Sequence, residues 1–173
     1  MDKKTKEESY MILENWMEQL NAQLPEGAFL MVKGNPMTIG WAQFGVLWRR
    51  TVCTVYVRES RHTHILLKDC DSFTLSVPEP GTMAKELMHC GTISGHAQDK
   101  VQVLGLDYTP ARFGAQDGLA GCALHIECKI LYRHNLDLSA LNEQARQHAY
   151  PEGDPHTAYV GQVLGVYQGD LET

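Results

Sequence analysis

The sequence predicts a mainly β fold, best described as a mostly antiparallel barrel with peripheral helices. Segments rich in Val, Thr, Phe and Trp recur along the chain and are bounded by Gly, Pro and Asn. Helical segments interrupt them at irregular intervals, unlike the regular strand–helix alternation of a doubly wound parallel sheet. With 173 residues, 43% of them hydrophobic, the chain suits one domain with a sizeable core. We therefore expect residues 1–173 to form a single domain.

The first third of the chain predicts one helix followed by three strands. Residues 5–22, within an N-terminal helical segment 1–24, carry apolar side chains at spacings of three and four: Tyr10, Leu13, Met17, Leu20 and Leu24. The segment "AFLMVKG" then predicts a short strand, and Asn35-Pro36 a turn. The segments "MTIGWAQFGVLW" and "TVCTVYV" each predict a strand, and "RRTV" between them a polar corner.

The rest of the chain continues the mixture. "HTHILLKDCD" predicts a short helix and "SFTLSV" a strand. "PEPGTMAKELMHCG" predicts a second helix, with Thr82 as its N-cap and Gly91 ending it. "AGCALHIECKILYRH" is the clearest strand, because its apolar and polar residues alternate. "LSALNEQARQHAY" predicts a helix, and "HTAYVGQVLGVYQGD" a final strand.

Charge and composition argue against several classes of function. Fifteen basic and 21 acidic residues give a net charge of −6, which argues against nucleic acids and anionic membranes as partners. No apolar run is long enough to span a bilayer, and the charged N-terminus predicts no secretory signal. The five cysteines form no CxxC pair, which favours a reducing cytoplasm. We expect no metal site, since His62 and His64 lack an evident third ligand.

Two polar clusters flank the first apolar strands. The first cluster is "NPMTIGW". In it, Gly40 permits close backbone approach to a ligand, and Met37 and Trp41 could contact a flat ligand. The alternative is a turn followed by a core strand. The second cluster, at a helix start, offers two cations and two hydroxyls: Arg58, Ser60, Arg61 and Thr63. Arginine forks match phosphate oxygens and helix N-termini attract anions, but a solvated salt-bridge corner fits equally well.

A third cluster, "HCGTISGHAQDK", is a small hydroxyl-rich loop with Lys100 close behind. Such a loop can present backbone N–H groups to an anion, although loops of Ser, Thr and Gly are common. The sequence lacks the glycine-rich, nucleophile-elbow and zinc motifs of the common motif-marked enzymes. The residues alone therefore indicate anion-binding chemistry without choosing a reaction.

Taken together, these segments resemble the flavin reductase-like family, in particular its flavoredoxin-type, FMN-binding split-barrel branch. The resemblance extends from about Phe29 to Val166, and its carriers are "NPMTIGW", "TVYVRESRHTH", "FTLSV", "CGTISGHAQDK", "IECKILYR" and "DPHTAYVGQVLGVY". It implies an antiparallel split β-barrel that binds FMN non-covalently and forms a homodimer with the flavin near the interface. It also implies NAD(P)H as electron donor, with an acceptor that the sequence does not identify.

The resemblance also implies roles for particular residues. The isoalloxazine ring would lie against Met37, Thr38, Ile39, Gly40 and Trp41. The phosphate or ribityl chain would be held by Arg58, Ser60, Arg61 and Thr63, with Cys90, Ser94, Gly95 and Lys100 completing the phosphate site. His156, in the Asp-x-His feature of the last strand, would face the flavin ring or the nicotinamide.

Several alternatives stay open at this point. The same pocket would serve a non-catalytic flavin carrier or sensor, and a barrel without any cofactor is a further possibility. A pyridoxine-phosphate oxidase-like activity shares the split barrel, but no residue set favours it. Cys90 is a candidate redox thiol, although a small core residue is the simpler interpretation because no partner cysteine is near in sequence.

Overall fold

A computed structural model describes residues 15–169. The described strands are β1 (Ala28–Val32), β2 (Asn35–Ile39), β3 (Ala42–Leu47), β4 (Arg50–Arg58), β5 (Ser72–Val77), β6 (Tyr108–Thr109), β7 (Gly118–Leu119), β8 (Leu124–Asn135) and β9 (His156–Gln168). Seven of them form one antiparallel sheet with the order β2-β1-β5-β8-β9-β4-β3, and the two very short strands β6 and β7 pair with each other. The predicted mainly antiparallel fold is confirmed.

The sheet curls but does not close. β2 and β3 are its two edges, and β2 approaches β4 without pairing with it. Two register shifts in β8, at Glu127/Cys128 and Ile130/Tyr132, bend the longest strand pair, as β-bulges do. The result is a split barrel whose opening lies between β2 and β4.

Both faces of the central strands are buried, so the sheet has two apolar layers. The barrel interior is filled by side chains that include Phe73, Leu75, Ile126 and Tyr159. The outer face of β1 is covered by a second cluster that includes Phe29, Met31, Leu87 and Leu119. Burial on both faces explains why "SFTLSV" is buried at every position although its sequence alternates.

Five helices surround the sheet in the described part of the chain: α1 (residues 15–23), α2 (His62–Lys68), α3 (Ala84–Thr92), α4 (Lys100–Leu104) and α5 (Glu143–Ala149). The remainder of the predicted N-terminal helix lies outside the described residues. No described helix has the length and apolar character needed to cross a membrane. The predicted helix "LSALNEQARQHAY" is a 3-10 turn, Leu138–Ala140, followed by α5. α4 was not predicted, because five residues are too few to show a helical period.

Two predicted turns are misplaced, and backbone conformation explains both. Asn35-Pro36 belongs to β2; the turn is Lys33–Gly34, where both φ angles are positive (50° and 72°). The second hairpin turns at Trp48–Arg49, again with positive φ at both residues (53° and 59°), so Arg50 already lies in β4. Such pairs suit the right-handed twist of hairpin strands.

The start of α3 also differs from the prediction. Met83, in a left-handed conformation, is the N-cap residue. The Thr82 hydroxyl instead donates to the Glu79 carbonyl at 2.7 Å, closing a local turn. Gly91 does not end the helix, which continues to Thr92.

Candidate functional site

Two adjoining clefts open at the split of the barrel. The tryptophan cleft, of about 210 Å³, is lined by Met37, Thr38, Ile39, Gly40, Trp41, Tyr56, Arg58, Arg61 and His156. The lysine cleft, of about 190 Å³, is lined by Met37, Arg58, Ser60, Arg61, His62, Thr63, Cys90, Thr92, Ile93, Ser94, Gly95, Lys100 and Asp154. They share Met37, Arg58 and Arg61, so together they form one elongated site.

Every site residue named from the sequence lines one of these two clefts. Five lining residues were missed: Tyr56, His62, Thr92, Ile93 and Asp154. The alternation of β4 could have indicated Tyr56, which lies two residues before Arg58 and therefore on the same strand face. Asp154 is the Asp of the Asp-x-His feature noted in the sequence, but no local signal indicates its role, which depends on a partner distant in sequence.

A break between β2 and β3 shapes the wall of the tryptophan cleft. The predicted single strand ends at Ile39 and resumes at Ala42. Gly40 passes the Leu24 carbonyl so closely that a Cβ atom would lie 3.3 Å from it, and the Trp41 carbonyl accepts a hydrogen bond from Tyr56 N at 3.2 Å. The bend turns Trp41 outward, with 44% of its surface exposed.

Trp41 stacks on His156, with ring centroids 4.4 Å apart and an interplanar angle of 26°. His156 is buried, and its Nδ1 lies 2.8 Å from the Tyr150 hydroxyl. The pKa of His156 is lowered to about 4, chiefly by burial and also by the positive charges of Arg58 and Arg61, while Asp154 partly opposes the shift. The cleft therefore presents a neutral imidazole at neutral pH.

This neutral histidine makes a testable prediction about stability. An unfolded histidine has a pKa near 6.5, so between about pH 6.5 and pH 4 the folded state binds fewer protons at His156 than the unfolded state does. The free energy of unfolding should therefore fall as pH decreases through this window. Urea denaturation should show that the free energy of unfolding depends less steeply on pH in His156→Gln than in the wild type. The difference in slope should correspond to at most one bound proton. Identical pH dependence would contradict the assignment.

Three cations converge on the lysine cleft, but they are held differently. Arg58 donates to the carbonyls of Asp154 (3.0 Å) and Ala149 (3.1 Å). Arg61 is exposed and makes one such bond, to the Gly91 carbonyl at 3.0 Å. Arg58 thus fastens the loop before β9, whereas Arg61 keeps most of its donors available to a ligand.

Lys100 is the most buried of the three cations, with 3% of its surface exposed. Its Nζ approaches the Cys90 carbonyl at 3.5 Å, and no described carboxylate pairs with it. Burial lowers the pKa of Lys100; the Cys90 thiol opposes this effect, and the nearby positive charge of Arg61 adds to it. A buried ammonium without an anionic partner is costly, so the cleft favours an anionic ligand.

Asp154 is the single acidic residue among those lining the two clefts. Its carboxylate accepts hydrogen bonds from Ser60 N at 3.1 Å and from the Ser60 hydroxyl at 2.7 Å. Its backbone adopts the left-handed region, with φ 60°. Asp154 is therefore engaged with Ser60 and joins the turn before α2 to the loop before β9.

The loop between α3 and α4 is fitted against β2. The buried Thr63 hydroxyl accepts a hydrogen bond from the Asn35 amide at 2.9 Å. A Cβ on Gly95 would collide with that same Asn35 side chain, so only glycine fits at this position without displacement. The sequence suggested Thr63 and Ser60 as ligand contacts; each already makes a hydrogen bond within the protein.

Cys90 also faces the lysine cleft, but as a protonated thiol. The pKa of Cys90 is raised to about 11, chiefly by burial, with Lys100 opposing the shift and Glu86 contributing to it. All five cysteines are buried and free. At neutral pH Cys90 is therefore not the thiolate that nucleophilic or exchange chemistry requires, and it serves as a small packing residue.

Comparison with known proteins decides the family. Residues 24–173 match the family described as flavin reductase like domain. The chain belongs to this family. A relative from Archaeoglobus fulgidus, described as an uncharacterized protein, is 26% identical over 150 residues, which are 84% of this chain and 74% of the relative. The resemblance noted in the sequence is thus confirmed.

Solved structures show the same fold for this flavin reductase-like protein. Flavoredoxin of Desulfovibrio vulgaris has a TM-score of 0.64 at 19% identity, with 83% of this chain and 69% of the other covered. An FMN-binding protein from Thermus thermophilus has a TM-score of 0.63 at 22% identity, with 82% of this chain and 68% of the other covered. An NADH:FAD oxidoreductase of Streptomyces globisporus has a TM-score of 0.62 at 20% identity, with 82% of this chain and 75% of the other covered.

Proposed function

We propose that this flavin reductase-like protein binds FMN non-covalently across the two clefts and acts as an NAD(P)H-dependent oxidoreductase. The observation that carries the proposal is the charge of the lysine cleft. Arg58, Arg61 and Lys100 line it, and the one acid present, Asp154, is already bonded to Ser60. A dianionic phosphate would satisfy this uncompensated positive charge.

The tryptophan cleft supports the same ligand. It offers an apolar wall at Met37 and Ile39, an exposed indole at Trp41, and the neutral imidazole of His156. These groups suit a flat, largely apolar ring. Because the clefts share Met37, Arg58 and Arg61, one elongated molecule with a ring at one end and a phosphate at the other can occupy both.

The chain's own residues would bind and orient the cofactor. Arg61 would contact the phosphate directly, because Arg58 already donates to two backbone carbonyls, those of Ala149 at the end of α5 and Asp154. Lys100 would neutralise the phosphate from the floor of the lysine cleft, and Trp41 with His156 would flank the ring. FMN, when bound, would supply hydride and electron transfer, so the protein needs no catalytic triad.

Reduction by a pyridine nucleotide tests the activity. The FMN-loaded protein, mixed with NADH or NADPH without oxygen, should lose its absorbance near 450 nm. If the protein binds FMN but neither nucleotide bleaches it, the reductase activity is contradicted, and a non-catalytic flavin carrier or sensor becomes the better interpretation. A protein that remains colourless after addition of FMN would contradict both functions.

Arg61 gives a sharper prediction. Arg61→Ala should weaken FMN binding by more than about 1 kcal/mol, which is the upper range for an exposed ion pair. Quenching of FMN fluorescence measures the dissociation constant. Lys68→Ala is the matched control, since Lys68 is an exposed cation at the end of the same helix and lines neither cleft. A loss no larger than that of the control would contradict direct phosphate contact.

We further propose that the protein acts in the cytoplasm as a homodimer. The five free cysteines support a reducing compartment. The apolar residues Val46 and Trp48, at the tip of the β3–β4 hairpin, are 77% and 56% exposed and suit contact with another chain. Sedimentation of the purified protein would measure its oligomeric state.

A further inference from the structure

A third cleft adjoins the tryptophan cleft and has different chemistry. This leucine cleft, of about 430 Å³, is lined by Trp41, Ala42, Gln43, Tyr56, Leu136, Leu141, Ala145, Ala149 and Tyr150. Its volume lies within the range of roughly 300–1,000 Å³ that is typical of small-molecule sites. Trp41 and Tyr56 line both clefts, so an occupant would lie beside the proposed flavin ring.

The far wall of the leucine cleft is held in place by hydrogen bonds. Leu136 N donates to the His156 carbonyl at 2.9 Å, and the Ala149 carbonyl accepts from Arg58 at 3.1 Å. Asn142 caps the intervening helix α5 by accepting from Ala145 N at 2.8 Å. The cleft is therefore formed before any ligand arrives.

None of the lining side chains is charged. A pyridine dinucleotide would place its diphosphate against no cation here, so the cleft does not suit the electron donor. It does offer one polar handle. The Tyr56 hydroxyl donates to Gln43 Oε1 at 2.8 Å, which leaves the Gln43 amide N–H groups without a partner among the described residues. These hydrogens can donate to a carbonyl oxygen.

We propose that the leucine cleft binds the electron acceptor, and that this acceptor is an uncharged planar aromatic carbonyl compound of the quinone class. The inference rests on the proposed function, because electrons must be delivered to the acceptor. The overall reaction balances: quinone plus NAD(P)H plus one proton gives hydroquinone plus NAD(P)⁺. The hydride comes from the nucleotide and the one proton from solvent.

Equilibrium dialysis tests the binding without turnover. The probe is 2,3-dimethyl-1,4-naphthoquinone, whose quinone ring has no open position for thiol addition. The wild type should bind it, both as apoprotein and when loaded with FMN. The same quinone carrying a sulfonate on its second ring should bind about tenfold more weakly or worse, because the cleft has no charge to receive it.

Two variants place a carboxylate in the cleft: Leu141→Glu and Ala145→Glu. Each should weaken quinone binding about tenfold or more while leaving the FMN dissociation constant within about twofold. Ala145 is exposed, so its variant should fold even if Leu141→Glu does not. Gln144→Glu makes the same charge change on α5 outside the lining and should bind quinone like the wild type.

Three results would overturn the proposal. The first is failure of the wild type to bind the quinone. The second is quinone binding that is unchanged by both the sulfonate and the cleft variants. The third is a sedimentation shift from dimer to monomer in Ala145→Glu with quinone binding unchanged, which would identify the cleft as an interface with a second copy. Failure to bind FMN, or to be bleached by NAD(P)H, would instead contradict the proposed function, and dialysis of the apoprotein would still test the cleft.

Discussion

Replacing Lys100 with methionine should weaken FMN binding while making the protein without ligand more stable. The phosphate would lose a charge-assisted hydrogen bond worth about 2–3 kcal/mol, or roughly 30- to 150-fold in dissociation constant. In the apoprotein, however, the substitution removes a buried ammonium that has no described anionic partner. Methionine fills similar space without the desolvation cost.

Two measurements separate these opposite effects. Fluorescence titration gives the dissociation constant for FMN, and thermal unfolding of the apoprotein should show a Tm raised by about 2–4 °C. Lys85→Met is the matched control, since Lys85 is exposed on α3 and lines neither cleft. Lower affinity together with a lower Tm would indicate a structural lysine and contradict the anion-site assignment.

Replacing Asp154 with alanine should lower the free energy of unfolding by about 2–4 kcal/mol. The change removes both hydrogen bonds to Ser60. It also places a Cβ-bearing residue with no local hydrogen-bonding side chain in the left-handed region, at φ 60°. Because Asp154 joins two loops that border the lysine cleft, its loss should also loosen the position of Arg58.

A series at this position separates the two causes. Asp154→Gly keeps the backbone conformation but loses the hydrogen bonds, whereas Asp154→Asn keeps one acceptor oxygen and tolerates positive φ. Urea denaturation should therefore rank the losses Asn, then Gly, then Ala. Glu152→Ala changes an exposed carboxylate in the same loop and should cost less than about 0.5 kcal/mol. Equal losses for Ala and Asn would contradict the bridging role.

The sequence predicted the strands with strong local patterns, and the candidate residues that it indicated line the two clefts. Strands β4, β5, β8 and β9 are rich in β-branched and apolar residues, and short-range pattern is sufficient there. The second hairpin turn was misplaced because Trp48 and Arg49 adopt positive φ without the glycine that usually signals it. The first turn does contain such a glycine, Gly34, but the prediction followed Asn35-Pro36 instead. α4 was missed because a five-residue helix has no period to detect.

Charge type and spacing by themselves thus indicated a candidate anion site after β4, with a solvated salt-bridge corner fitting equally well, and only the family resemblance pointed to FMN as its ligand. Only the tertiary structure decided how each charged group is used. Arg58 bonds carbonyls 91 and 96 residues further along the chain, which leaves Arg61 as the more available arginine. Burial of Lys100, engagement of Asp154 and the uncharged leucine cleft likewise arise from contacts between distant segments. Sequence periodicity indicates which strand or helix a residue belongs to. The desolvation of a charged side chain and its hydrogen-bond partners depend instead on neighbours that only the folded chain brings together.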